Sequence, residues 1–206
     1  MRSILFPLSS FLFPLIYQAS KKLAKSRIIN MSKICVFCSA NDQIADVYFE
    51  KARELGEWCA KNGHSIVFGG HDAGLMHAVS WACKEAGGRV IGVVPRRIEE
   101  MGRLTPFLDV HIPTEDLTDR KQIMMDMSDA FIILPGGIGT LDELFTVCSS
   151  STLAYHRKPI IIYDINNFWE PLFHLLDHIE ANKMTRGYWK SLIHIATSLD
   201  EIEQFL

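Results

Sequence analysis

A doubly wound α/β fold, in which helices flank a mostly parallel sheet, follows from three features of this sequence. Short runs rich in valine and isoleucine are apolar throughout, the pattern of strands buried on both faces. Longer amphipathic segments separate them, and strand–helix alternation with right-handed crossovers gives a Rossmann-like sheet. The glycine-rich or polar turns (Ser39 to Asp42, Gly69 to Gly74, Pro95 to Arg97, Gly136 to Thr140) all fall at carboxyl ends of those runs. Ligands of such sheets bind there.

In chain order, the apolar runs place strands over residues 33–38, 65–68, 89–94, 109–112, 130–134, 159–163 and 193–196. Amphipathic segments place helices over residues 45–61, 74–86, 117–128, 140–155 and 168–181, with a short one over 199–205. The chain has 206 residues, 48% of them apolar and 22% charged, which suits one globular α/β domain. That domain is expected to cover residues 33–206. Residues 1–32 read as a leader or as translation from an upstream start, because Met31 directly precedes the first convincing strand. Residues 4–17 are apolar but interrupted by Pro7 and Pro14, and are too short to span a bilayer.

Charge narrows the partners. The net charge is −3, with no acidic residue before Asp42. Setting aside the five cations of the first thirty residues leaves 16 basic against 24 acidic residues, a net of −8. So acidic a body lacks the basic face of a nucleic-acid binder, and any phosphate it holds is small and locally bound. Five scattered cysteines, an odd number, predict reduced thiols and a cytoplasmic setting. Cys35 and Cys38 spell CxxC, but three residues apart on a strand they face opposite sides of the sheet, which argues against a redox or metal pair. The eight histidines show no close ligand spacing, so neither a metal nor another cofactor is expected.

The most informative stretch is Pro135-Gly-Gly-Ile-Gly-Thr-Leu-Asp-Glu143, directly after the apolar run Ala130 to Leu134. Its glycines let the backbone approach a ligand, and the free N–H groups of a helix start form an anion site. Neither glycine turn follows the dinucleotide pattern, and no P-loop is present. Thr140 and Glu143 have the spacing of a capping box, so Glu143 reads as a helix cap, a catalytic carboxylate, or both. Arg120 and Lys121 stand near the start of the helix that precedes this strand. Cations there oppose the helix dipole unless an anion lies nearby.

These residues resemble the LONELY GUY family, the cytokinin riboside 5′-monophosphate phosphoribohydrolases. PGGxGTxxE matches residues 135–143, with Arg120-Lys121 at the family's distance upstream. Val36 to Ser39, Gly69-Gly70, Gly74-Leu75-Met76, Gly92 to Pro95, Ser128 to Ile132 and Lys158-Pro159 match as well, so the resemblance covers residues 33–206. It implies hydrolysis of the N-glycosidic bond of an N6-substituted adenine or AMP-like nucleoside 5′-monophosphate, in a homodimer. Carried over by position, Arg120 and Glu143 are the catalytic pair. Lys121, Gly136, Gly137, Gly139, Thr140, Ser39, Gly70, Leu75, Met76 and Ser149 bind substrate and phosphate. The chain departs from the family at His71 and His77, where glycines are usual, and the family's glutamate between Pro95 and Arg120 falls on Glu99 or Glu100. The competing reading is a non-catalytic carrier of a nucleotide or phosphorylated cofactor on the same scaffold. The lysine decarboxylase label attached to the family needs a Schiff-base lysine that no feature of the sequence marks.

Overall fold

A computed structural model describes residues 31–206, and the leader reading of the N-terminus lies outside them except for Met31 and Ser32. Seven strands form one sheet: β1 (Lys33–Phe37), β2 (Ser65–Phe68), β3 (Arg89–Pro95), β4 (Val110–Thr114), β5 (Ala130–Ile133), β6 (Ile160–Tyr163) and β7 (His194–Ala196). Their order is β4-β3-β2-β1-β5-β6-β7, and every pairing is parallel. The chain winds outward from β1 to one edge, returns to β5 on the other side of β1, and winds to the opposite edge. The switch point of this doubly wound Rossmann-like sheet therefore lies between β1 and β5, where such folds open a crevice.

The helices are α1 (Asp46–Lys61), α2 (Gly74–Glu85), α3 (Arg96–Glu100), α4 (Leu117–Met127), α5 (Ile138–Thr152), α6 (Glu170–Ala181) and α7 (Leu199–Gln204). Two apolar cores sandwich the sheet. Ile34, Val36 and Cys38 point toward α1, α2 and α7, while Cys35 and Phe37 point toward α4, α5 and α6. The period-2 alternation of a strand thus puts the two thiols of the CxxC on opposite faces. All five cysteines are buried and free.

The element boundaries differ from expectation in three informative places. Helix α5 starts two residues before Thr140, because Gly137 in an extended conformation serves as its N-cap. Helix α6 starts at Glu170 rather than 168: Pro171 occupies its first turn, where a missing N–H costs nothing, and Asp164 accepts a hydrogen bond from the Trp169 amide just ahead of it. The turn after β3 contains the short α3 and is held on the molecule's surface by Arg96–Glu115 and Arg97–Glu100 ion pairs. Ser32 already belongs to the fold, its carbonyl accepting from the Ser65 amide at 3.0 Å. No helix among the described residues is long and apolar enough to cross a membrane.

Candidate active site

The carboxyl ends of β1, β2 and β5 surround a cleft of about 560 Å³ at the switch point. Ser39 to Asn41 follow β1, His71 follows β2, and Gly137, Gly139 and Thr140 open α5 after β5. Helix α4 adds Leu117, Arg120 and Lys121, and α5 adds Asp142 and Glu143.

Close backbone approaches build this corner. Gly74, at φ +57°, lies so near the β1 turn that a Cβ there would stand 2.6 Å from the Ala40 carbonyl carbon. A Cβ on Gly70, at φ +70°, would meet the Val94 side chain at 2.3 Å. Asp42 accepts from the Gly74 amide at 2.8 Å, and the Leu75 amide donates to the Ser39 carbonyl at 2.9 Å. The turns after β1 and β2 are therefore tied into one wall.

Arg120 and Glu143 meet in the depth of the cleft. Asp116 caps α4 by accepting from the Thr118 and Asp119 amides, and Arg120 and Lys121 follow directly in that helix. Arg120 Nη2 donates to Glu143 Oε1, and the two side chains are 11% and 6% exposed. Room for the guanidinium comes from Gly69, where a Cβ would lie 2.8 Å from Arg120 Nη2. One residue on, Lys121 Nζ donates to both oxygens of Asp142 at 2.8 Å. Two adjacent cations of α4 thus face two adjacent carboxylates of α5. The cations that oppose the α4 dipole have their anions within the protein, a partner the spacing of Asp142 did not reveal.

Glu143 does not cap its helix. It is the sixth residue of α5, and no side chain caps the Gly137 end. The capping-box expectation is overturned because the helix begins ahead of Thr140, so that Thr140 and Glu143 are interior neighbours one turn apart. What distinguishes Glu143 is its environment. Burial pushes its carboxyl up to about 7, against the pull of Arg120, with Asp142 adding to the rise and Lys121 opposing it. A buried carboxyl that titrates near neutrality, with a guanidinium on one oxygen, is suited to exchanging protons in catalysis.

Most expected site residues converge. Arg120, Glu143, Lys121, Gly137, Gly139, Thr140, Ser39 and Met76 all line the cleft. Gly136 lies beneath it, where a Cβ would collide with Thr140 Oγ1 at 2.1 Å. Gly70 shapes the adjacent turn, and Leu75 is wholly buried in the core. Ser149 is exposed on α5, about 13 Å along the helix axis from Thr140 and outside the cleft lining. His71 lines the cleft half-buried, and burial, then Arg103, hold its imidazole below the usual range. His77 bonds Asp72 at 2.7 Å and packs against Trp81 and Phe107, away from the cleft lining. Glu99 pairs with His111 at 2.8 Å and Glu100 with Arg97, so neither reaches the site. Asn41, Arg103 and Asp142 line the cleft without having been singled out in the sequence.

Gly137 and Gly139 have open space where a Cβ would stand, and neither has a positive φ. The fold itself does not demand glycine at these positions, and their absent side chains leave the backbone of the helix start open to the cleft. Gly139→Ala is expected to raise unfolding stability by at most about 0.5 kcal/mol, less than the interior helix-propensity difference because the residue lies in the first turn of α5, while weakening ligand affinity. Denaturant titration beside a binding isotherm checks both signs. A variant that loses stability, or gains it with unchanged affinity, would show that the glycine serves the helix and not the ligand.

Comparison with known proteins agrees with this geometry. Residues 76–205 match the family model described as possible lysine decarboxylase. A cytokinin riboside 5′-monophosphate phosphoribohydrolase of Mycobacterium tuberculosis is 40% identical over 141 residues, 68% of this chain and 75% of that protein. One from Arabidopsis thaliana is 33% identical over 185 residues, 90% of this chain and 80% of the relative. Among solved structures, the molybdenum cofactor carrier protein of Chlamydomonas reinhardtii superposes with a TM-score of 0.64 at 23% identity, covering 85% of this chain and 95% of that one. The molybdenum cofactor binding protein of Rippkaea orientalis gives 0.63 at 22%, with the same coverage. At that identity the two structures share the fold. The sequence matches, together with Arg120, Lys121 and Glu143 in one crevice, place this chain in the LONELY GUY family.

Proposed function

We propose that the protein hydrolyses the N-glycosidic bond of a purine nucleoside 5′-monophosphate, AMP or its N6-substituted relatives, to free base and ribose 5-phosphate. The observation that carries this reading is the buried Arg120–Glu143 pair beside the glycine-lined start of α5. The amides there and the Thr140 hydroxyl receive the phosphate. Breaking the bond from C1′ to the base nitrogen leaves oxocarbenium character on the ribose, which the Glu143 carboxylate stabilises. Glu143 also takes a proton from the water whose oxygen bonds to C1′. The base leaves with the electron pair of the broken bond and acquires a proton, so that the carboxylate is regenerated. Arg120 fixes the substrate and balances charge on the carboxylate. Ser39, Lys121 and Met76 complete the walls, with Gly136, Gly70 and Leu75 shaping the backbone behind them.

The cleft's chemistry does not suit amino-acid decarboxylation through a Schiff base. The one lysine that lines it among the described residues, Lys121, has its amine engaged by both Asp142 oxygens. The substrate is a small nucleotide and not a nucleic acid, in keeping with the acidic body of the chain. The buried free thiols support a cytoplasmic setting. A homodimer is the proposed working unit, with exposed apolar side chains at Leu117 of the cleft lining and at Ile138 and Phe145 of α5 as the surface for a second copy.

Incubating the protein with AMP and with isopentenyladenosine monophosphate, and separating the products, tests the reading. Free base and ribose 5-phosphate in equal amounts are expected. Tight nucleotide binding without release of base would favour the carrier reading instead.

A further inference from the structure

Among the described residues, three Arg or Lys side chains line the cleft, and two of them are already committed: Arg120 to Glu143 and Lys121 to Asp142. The third is Arg103. Its side chain is exposed on the cleft wall, and among the described residues its guanidinium makes no hydrogen bond or ion pair. Its backbone, by contrast, is pinned. The Arg103 carbonyl accepts from the Asp72 amide at 2.9 Å and its own amide donates to the Ile98 carbonyl at 3.1 Å. A bridge between His71 and Leu104 and a 2.9 Å bond from the Thr105 amide to the Gly70 carbonyl tie the next residues to the same turn. A fixed backbone carries a free cation into the cleft from the β2 side of the switch point. The α5 start faces the cleft from the β5 side.

A phosphate monoester brings −1.5 to −2 charges at pH 7. The start of α5 offers about half a positive charge and its N–H groups. Arg120 and Lys121 are each already paired with a carboxylate, Glu143 and Asp142, so neither offers an uncommitted cation. We propose that Arg103 captures the 5′-phosphate of the nucleotide as the cleft's one cation without a carboxylate partner among the described residues. This rests on the nucleotide reading of the site and assigns it a second anion-holding element, across the crevice from the glycine turn. A guanidinium suits the task, because its planar donors engage two phosphate oxygens at once. Burial, and then Arg103 itself, hold the neighbouring His71 imidazole below its usual range, which disfavours its charged form.

The test compares Arg103→Gln and Arg103→Lys with the wild type. Calorimetry with AMP, ribose 5-phosphate and adenosine is run beside base-release kinetics. Arg103→Gln is expected to weaken AMP and ribose 5-phosphate binding by about 10- to 150-fold, the range of a lost charge-assisted contact, and to leave adenosine binding unaltered. The kinetic loss falls on KM rather than kcat, and Arg103→Lys recovers part of it. Raising ionic strength weakens AMP binding more steeply in the wild type than in Arg103→Gln. Equal losses for AMP and adenosine, or unchanged AMP affinity, would overturn the proposal. If the wild type bound AMP without releasing base, the hydrolase reading would fail, while the calorimetry would still decide the role of Arg103. The substituted side chain takes no part in the backbone bonds that hold the loop, and a thermal melt of each variant confirms that the fold is kept.

Discussion

Glu143→Gln is expected to lower kcat for base release by about 100- to 10,000-fold, the contribution of a positioned general base, with the fold retained. The substitution preserves shape and leaves an amide oxygen to accept from Arg120, so the guanidinium keeps a partner. It removes no helix cap, since the start of α5 is capped at Gly137 without a side chain. What it removes is the proton acceptor and the negative charge near the ribose. A variant with wild-type turnover would sink the catalytic assignment, whatever its stability.

The same carboxyl sets the pH dependence. Its value is raised, chiefly by burial, to about 7, so the carboxylate fills as pH climbs through that point. In the wild type kcat/KM should rise about tenfold per pH unit below 7 and level off above it, because kcat/KM reports groups of the free enzyme. Stability runs the other way. A carboxyl that holds its proton more tightly folded than unfolded contributes stability fully present below its ordinary value of 4.5, and lost as pH rises through about 7. Glu143→Gln has no such loss. Its melting temperature relative to wild type should therefore increase between pH 5 and 8, while its activity stays low throughout.

How far the sequence disclosed this site depends on the kind of interaction. Strands β1, β5 and β6 were legible because runs such as Ile160 to Ile162 are apolar on both faces, which only a covered parallel sheet accommodates. The glycine turns marked the crevice because backbone approach needs glycine wherever it occurs. Arg120 and Glu143 stood out through the resemblance, and their convergence follows from α4 and α5 flanking β5 in sequence. Thr140 and Glu143 misled because three residues is both the capping-box interval and the ordinary spacing of neighbours on a helix face. Only the position of the first helical residue separates those readings. Arg103 left no trace in the sequence, since it lies on an aperiodic loop and enters the cleft through backbone bonds to residues near 70. The five residues of α3 are too few to show a helical period.

Arg120→Ala should be nearly as damaging as loss of Glu143, for two separable reasons. The first is the lost contact with substrate and carboxylate, which at 1.5–3 kcal/mol for a bond to a charged group corresponds to about 10- to 150-fold in kcat/KM. The second acts through Glu143. Arg120 is the strongest influence holding that carboxyl down, so without it burial dominates and the midpoint moves above 7. The buried acid takes up a proton instead of remaining an unpaired charge, which spares the fold and disables the base. Part of the lost rate should consequently return at alkaline pH. Arg120→Lys restores a positive charge but not the planar pair of donors, so it should bring the midpoint back further than the rate. Because the two residues act as a unit, the double variant with Glu143→Gln should lose little more than Glu143→Gln alone. A midpoint unchanged in Arg120→Ala, or strictly additive losses, would show that the guanidinium and the carboxylate serve the substrate independently rather than through each other.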